Sequence, residues 1–167
     1  MGGDYSSLDI VSKNENVSPE KLARNILHGR CIILKNDRRA YTPCAIGEGA
    51  GVKVNVNIGT SGITCSPEME IEKAKAAISN GTDAIMDLST GGDIVSMRRE
   101  ILKLNIPVGT VPIYEAVRRA GNVVDLDADT LFNTIRDQAK EGVDFMTLHC
   151  GVNLEVLDAL KLDPRTM

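Results

Sequence analysis

The alternation of hydrophobic and polar positions is clearest in residues 52–59. Its apolar positions are Val52, Val54, Val56 and Ile58, and the polar positions between them are Lys53, Asn55 and Asn57. A period of two residues with β-branched side chains predicts a β-strand. Asparagine is depleted from strands, and a carboxamide inside a core needs hydrogen-bond partners. The strand alone leaves two interpretations open: its asparagines face water, or they face a ligand.

From residue 52 onward, four strands are each followed by a helical pattern. The strands are predicted at residues 52–58, 84–88, 107–113 and 143–148. Ser66 with Pro67 is typical of a helix start, and Asp127 is predicted to cap a later helix. Strands separated by helices pair in parallel through right-handed crossovers. The pattern fits either a small doubly wound sheet or half of an eight-stranded barrel.

Residues 1–51 form a separate N-terminal portion of helix, strand and loop. Ser18 and Pro19 predict a helix start, and residues 31–34 are predicted to form a short strand. Residues 35–39 indicate a charged turn. The glycines and the proline of residues 41–51 predict a loop.

Unusual polar side chains fall late in each predicted strand or just after it. They are Asn57, Asp87, Ser89, Tyr114 and His149. In both candidate folds the carboxyl ends of the strands form the edge at which ligands bind. This placement favours the ligand interpretation of Asn57. Asn55 lies deeper in the same strand, where we expect a packing role. Asp87 and Ser89 are expected to orient a neighbour or cap a helix, without a catalytic role.

Composition narrows the class of protein. The chain has 167 residues, enough for one domain, and a net charge of -4, so it lacks the basic surface that binds nucleic acid. No apolar run is long enough to span a bilayer, and no signal peptide is recognisable, so we expect a cytoplasmic protein. The spacing of the four cysteines predicts reduced thiols rather than a disulfide framework or a zinc site; they are Cys31, Cys44, Cys65 and Cys150.

Four strand-end segments resemble the phosphomethylpyrimidine synthase family of thiamine biosynthesis. They are Val-Asn-Val-Asn-Ile-Gly-Thr-Ser (54–61), Ile-Met-Asp-Leu-Ser-Thr-Gly-Gly (85–92), Val-Gly-Thr-Val-Pro-Ile-Tyr (108–114) and Phe-Met-Thr-Leu-His-Cys-Gly-Val (145–152). The resemblance runs from about Ile10 to the end of the chain. It implies an α/β fold of parallel βα units, with residues 52–167 as the first half of a TIM-type (β/α)8 barrel and residues 1–51 as a short N-terminal extension.

The resemblance also implies an activity and a set of binding residues. The family is a radical S-adenosylmethionine lyase that converts 5-aminoimidazole ribotide to 4-amino-5-hydroxymethyl-2-methylpyrimidine phosphate. Its substrate contacts correspond to Asn57, Met86, Tyr114 and His149 in this chain. An amide, a soft apolar wall, a phenol and an imidazole suit a heteroaromatic ribotide. Each side chain also has a structural alternative. Asn57 can face water, and Met86 can be a core methionine. Tyr114 can be an amphipathic strand-end tyrosine, and His149 a histidine with structural hydrogen bonds.

The cofactors that the resemblance implies have no recognisable ligands in this sequence. The full-length family uses a 4Fe-4S cluster, S-adenosylmethionine and a divalent metal, zinc or iron, held by later segments that do not occur here. We therefore expect the chain alone to be inactive. We also expect it to need the missing C-terminal half, or a homo-oligomer, to cover its open strand edges. Two alternatives stay open: a 5-hydroxybenzimidazole synthase of anaerobic cobamide synthesis, or a truncated, non-catalytic paralogue that binds the ribotide.

Overall fold

The computed structural model of the chain describes residues 5–64 and 66–163, so Cys65 lies outside the described residues. The helices in these ranges are α1 (Tyr5–Glu15), α2 (Pro19–Leu27), α3 (Pro67–Ser79), α4 (Ile94–Ile101), α5 (Pro112–Ala120), α6 (Ala128–Glu141) and α7 (Leu154–Leu162), with a short 3-10 helix at Val123–Asp125. The strands are β1 (Cys31–Leu34), β2 (Cys44–Gly47), β3 (Asn55–Ile58), β4 (Ala84–Asp87), β5 (Val108–Thr110) and β6 (Phe145–Met146). None of the helices in these ranges has the length and apolar character needed to cross a bilayer.

The N-terminal portion is built on an antiparallel hairpin of β1 and β2. The predicted start of α2 is confirmed, since the Ser18 hydroxyl accepts a hydrogen bond from the Lys21 amide and Pro19 takes the first turn. The loop prediction for residues 41–51 is wrong at Cys44–Gly47, which pairs with β1. Tertiary pairing outweighs the local glycine content here. Gly47 is required, because a Cβ there would lie 2.2 Å from the Arg30 carbonyl oxygen.

The second part is a parallel sheet in the order β3-β4-β5-β6. The prediction of parallel βα units is confirmed, and the completion of this sheet to a barrel stays a prediction. One face of the sheet packs against the helices through a buried core of Ile58, Ala74, Ile85, Met97, Ile101, Ile106 and Val108. Each strand is shorter than predicted. Val52 is 98% exposed and lies before β3, while Pro112 begins α5 rather than continuing β5.

The charged turn at residues 35–39 joins the two parts through a buried ion pair. The Arg39 guanidinium contacts the carboxylate of Asp144, whose side chain is fully buried immediately before β6. Arg39 also donates to the carbonyls of Leu102, Leu104 and Ile106, beyond the end of α4. Asp144 further accepts hydrogen bonds from the Tyr41 hydroxyl at 2.5 Å, the Asn36 amide at 2.9 Å and the Val108 amide at 2.8 Å. Burial and the neighbouring Asp144 carboxylate raise the pKa of Tyr41, so its hydroxyl stays a donor.

We expect Arg39→Ala to lower the free energy of unfolding by about 3–5 kcal/mol, because it leaves the Asp144 carboxylate buried without its cation. Urea unfolding measures the change. Arg38→Ala is the matched control, since Arg38 is exposed in the same turn. Equal unfolding free energies for the two variants would show that the pair does not hold the two parts together.

Candidate functional site

The face of the sheet opposite the helices carries a row of four residues in register. Asn57 pairs with Met86, Met86 with Gly109, and Gly109 with Phe145. Neighbours in a parallel register point to the same side of a sheet, so these residues share one face. We call this row the open row. Asn57 is exposed, whereas Met86 and Phe145 are half-buried. Met86 is therefore not the fully buried core methionine of its structural alternative.

The carboxamide of Asn57 is oriented by Asn55. The Asn55 amide nitrogen donates to the Asn57 side-chain oxygen at 3.0 Å. This bond uses one of the two lone pairs of the Asn57 oxygen, so its NH2 group, a double donor, stays available to a ligand. Our expectation that Asn55 is packed is wrong, because its side chain is exposed beside Asn57. Its role in the structure is to fix the neighbouring amide.

Tyr114 and His149 are brought together at the carboxyl ends of β5 and β6. Their ring centroids lie 6.3 Å apart with an interplanar angle of 42°. This is the range of tilted aromatic pairs. Tyr114 is in the first turn of α5, and His149 follows β6 by three residues. Within the described residues, no hydrogen bond or ring contact joins this pair to Asn57 and Met86. The four predicted residues therefore form two pairs that are not in such contact with each other in this structure.

Hydrogen bonds join the loop that follows β3 to α3 and to the loop that follows β4. The Gly59 amide donates to the Glu70 carboxylate at 2.8 Å, and the Thr60 amide donates to the Ser89 hydroxyl at 3.1 Å. Gly59 has φ of +145°, and a Cβ there would lie 2.5 Å from the Ser89 nitrogen. Burial raises the pKa of Glu70, but the Gly59 amide and Lys73 outweigh it and hold this pKa below its ordinary value. Glu70 is thus ionised, and its carboxylate fixes the backbone at Gly59, two residues after Asn57.

Asp87 faces away from the open row, because it is one residue on from Met86 in β4. Its side chain is buried on the helix side and accepts a hydrogen bond from the Ser89 amide at 2.9 Å. Burial raises the pKa of this carboxyl, and bonds from Ser89 offset part of the rise. The contact with Ser89 agrees with an orienting role for both residues.

A buried polar network holds α5, the helix that carries Tyr114. The Glu115 carboxylate accepts bonds at 2.7 Å from both Arg98 and Gln138, and at 2.6 Å from Arg119. The side-chain oxygen of Gln138 in turn accepts a hydrogen bond from the Thr110 hydroxyl at 2.6 Å. Burial raises the pKa of Glu115, but the bond from Gln138 and the charge of Arg98 outweigh it, so the pKa is below its ordinary value. Only the Glu115–Arg119 pair, four residues apart on one helix, had a sequence signal.

We expect Glu115→Gln to lower the free energy of unfolding at pH 7 by about 2 kcal/mol, the value of hydrogen bonds to a charged group. Folding lowers the pKa of Glu115, so its ionised carboxylate stabilises the folded state at any pH above the unfolded pKa of 4.5. This contribution is lost as the pH falls through the folded pKa. The difference between the variant and the wild type, measured by urea unfolding, should therefore be constant above about pH 5 and shrink as the pH falls below 4.5. Glu100→Gln, at a 56% exposed side chain, is the control and should stay within about 0.5 kcal/mol of wild type. A constant difference across this pH range would contradict the charged role of Glu115.

The described cysteines are dispersed. Cys31 is buried, Cys44 is half-buried in β2 and Cys150 is exposed after β6. Burial raises the pKa of Cys31, and raises that of Cys44 to about 11, so neither is a ready thiolate ligand. Among residues 5–64 and 66–163, no three His, Cys, Asp or Glu side chains group closely enough to hold a metal ion. The donors in these ranges do not fit an iron–sulfur cluster.

Comparison with known proteins places this geometry in context. A family model described as the radical SAM ThiC family matches residues 2–167. Three curated relatives are each called phosphomethylpyrimidine synthase. The one from Methanopyrus kandleri is 48% identical over 155 residues, covering 89% of this chain and 36% of the relative. The one from Methanococcus aeolicus is 47% identical over 165 residues, with coverages of 96% and 39%. The one from Thermodesulfovibrio yellowstonii is 45% identical over 162 residues, with coverages of 94% and 38%. The chain thus spans well under half the length of these relatives.

Proposed function

Because this chain belongs to the radical SAM ThiC family, we propose that it is a portion of a cytoplasmic phosphomethylpyrimidine synthase. In this role it would serve a lyase that converts 5-aminoimidazole ribotide to 4-amino-5-hydroxymethyl-2-methylpyrimidine phosphate. The observations that carry the proposal are the pairing of Asn57 with Met86 on one face of the sheet and the approach of the Tyr114 and His149 rings after β5 and β6. These are the side chains that the family resemblance assigns to the substrate. They lie at the edge of a parallel sheet where ligands bind.

The four side chains have complementary parts in binding the ribotide. Asn57, held by Asn55, offers its NH2 group to an acceptor on the ribose or the heteroaromatic ring. Met86 supplies a polarisable apolar wall beside it. Tyr114 and His149 add a phenol and an imidazole, each able to donate a hydrogen bond. A few polar groups beside an apolar wall are typical of small-ligand sites.

We assign the catalytic step to the part of the full-length relatives that this chain does not span. The family implies S-adenosylmethionine and an iron–sulfur cluster, and the described donors do not fit a cluster. We propose that the cluster, the S-adenosylmethionine and the divalent metal, zinc or iron, are held there. On this proposal the chain alone does not turn over. The remaining polypeptide, or a second copy, pairs with the edges of β3 and β6.

We expect Asn57→Ala to weaken ribotide binding about tenfold, because the substitution removes two donors from the site and leaves acceptors of the bound ligand unpaired. Calorimetric titration of the complete enzyme, without S-adenosylmethionine so that no turnover occurs, measures the dissociation constant. Asn57 is exposed, so the free energy of unfolding should change little. Asn133→Ala, on the outer helix α6, is the control and should bind like wild type. A large loss of stability with unchanged binding would return Asn57 to a structural role.

We expect the complete enzyme to form the pyrimidine phosphate from aminoimidazole ribotide, and the 167-residue chain to form none. Mass spectrometry of the products under reducing, anaerobic conditions provides the measurement. The names of the relatives support the pyrimidine over 5-hydroxybenzimidazole. Detection of the benzimidazole would reassign the product. Absence of both products, with ribotide binding retained, would favour a binding paralogue.

A further inference from the structure

Phe145 lies on the open row, where no role was predicted for it. Gly109 is its partner in β5, and a Cβ built on Gly109 would lie 2.3 Å from Cε2 and 2.4 Å from Cζ of the Phe145 ring. The ring therefore occupies the space that a side chain at position 109 would fill. It lies across β5 on the same face as Met86, which is the next partner of Gly109 in the row. The absence of a side chain at Gly109 is what admits the ring.

Phe145 also borders a cavity of about 380 Å³ that is lined by residues of the sheet and of the N-terminal hairpin. Phe145 lines it together with Asn55 and Ala84, which precede Asn57 and Met86 by two residues on the same face. Cys44 and Ile46 of β2 line the opposite wall. Phe145 therefore borders both the open row and this cavity, and its side chain is half-buried.

The chemistry of this row is that of a site for a flat heteroaromatic group. An aromatic ring and a thioether form an apolar floor, and an amide donor stands at one end of it. Phe145 is on the face of the sheet opposite to the helix-side core, the face that also carries Asn57 and Met86. A sugar phosphate has no flat π face to stack on such a floor. An aminoimidazole ring has one.

We propose that Phe145 is a specificity-determining residue, which contacts the base of the ribotide and forms the floor of its subsite. This inference rests on the proposed function. The inference adds a fifth binding residue to the proposed function, and it names the part of the ligand that this residue contacts. Gly109 acts through Phe145, as the position whose missing side chain leaves room for the ring over β5.

The test uses the complete enzyme without S-adenosylmethionine and two ligands, aminoimidazole ribotide and ribose 5-phosphate. Phe145→Leu should weaken ribotide binding about three- to tenfold, the value of an aromatic contact, and leave the affinity for ribose 5-phosphate unchanged. Phe132→Leu is the matched control, because Phe132 is 55% exposed on α6. It should bind both ligands like wild type. Equal weakening of both ligands by Phe145→Leu would make the residue merely structural and overturn the proposal.

A double-mutant cycle tests the part played by Gly109. Gly109→Ala should weaken ribotide binding, because the added methyl group displaces the ring. In the Phe145→Ala background the same change should have no further effect on binding, since no ring remains to be displaced. Circular dichroism and urea unfolding show whether each variant is folded. If Phe145→Ala does not fold, the cycle uses Phe145→Leu, in which a smaller side chain should reduce the effect of Gly109→Ala. Additive effects of the two changes would overturn the proposal.

The two proposals fail in different ways. If wild type binds the ribotide and Asn57→Ala weakens it, but Phe145→Leu binds like wild type, only the role of Phe145 is lost. If wild type binds no ribotide, both are overturned.

Discussion

One buried carboxylate, Asp144, holds the two parts of the molecule in place. A charge can be buried only where donors replace its water, and Asp144 has a guanidinium, a phenol and two backbone amides around it. One of these amides belongs to Val108, at the start of β5, and Asp144 itself directly precedes β6. The same group therefore anchors the N-terminal portion and sets the register between β5 and β6. The position of Phe145 over Gly109 depends on that register.

On our proposal, one face of the sheet provides stability and the other face provides binding groups. Apolar side chains and charged networks fill the helix side, where Glu115 is bonded by Arg98, Gln138 and Arg119. The other side carries few bonds that fix its side chains, such as the one between Asn55 and Asn57. Such a division lets binding groups be exposed without loss of the fold, because the free energy that orders them comes from the opposite face.

The sequence was most informative where local chemistry decides the structure. Serine before proline marked the start of α2 and α3, and strands alternating with helices predicted a parallel sheet. The pairing of Tyr114 with His149 agrees with their placement at strand ends. Contacts between distant residues had no such signal. Arg39 and Asp144 are 105 residues apart, and nothing local in the charged turn indicated a buried partner. Phe145 was equally hidden, because one aromatic residue in an apolar run has no period that reveals its face.

The alternation of a strand explains why a family motif contains residues with different tasks. Met86 and Asp87 are consecutive in β4, and the period of two turns the first to the open row and the second to the helices. The methionine can contact a ligand, whereas the aspartate, with its pKa raised by burial, bonds to Ser89 and supports the loop. Asn57 and Ile58 divide in the same way in β3. A strand-end motif therefore mixes residues of both faces, and only the register shows which of them lie on the open row.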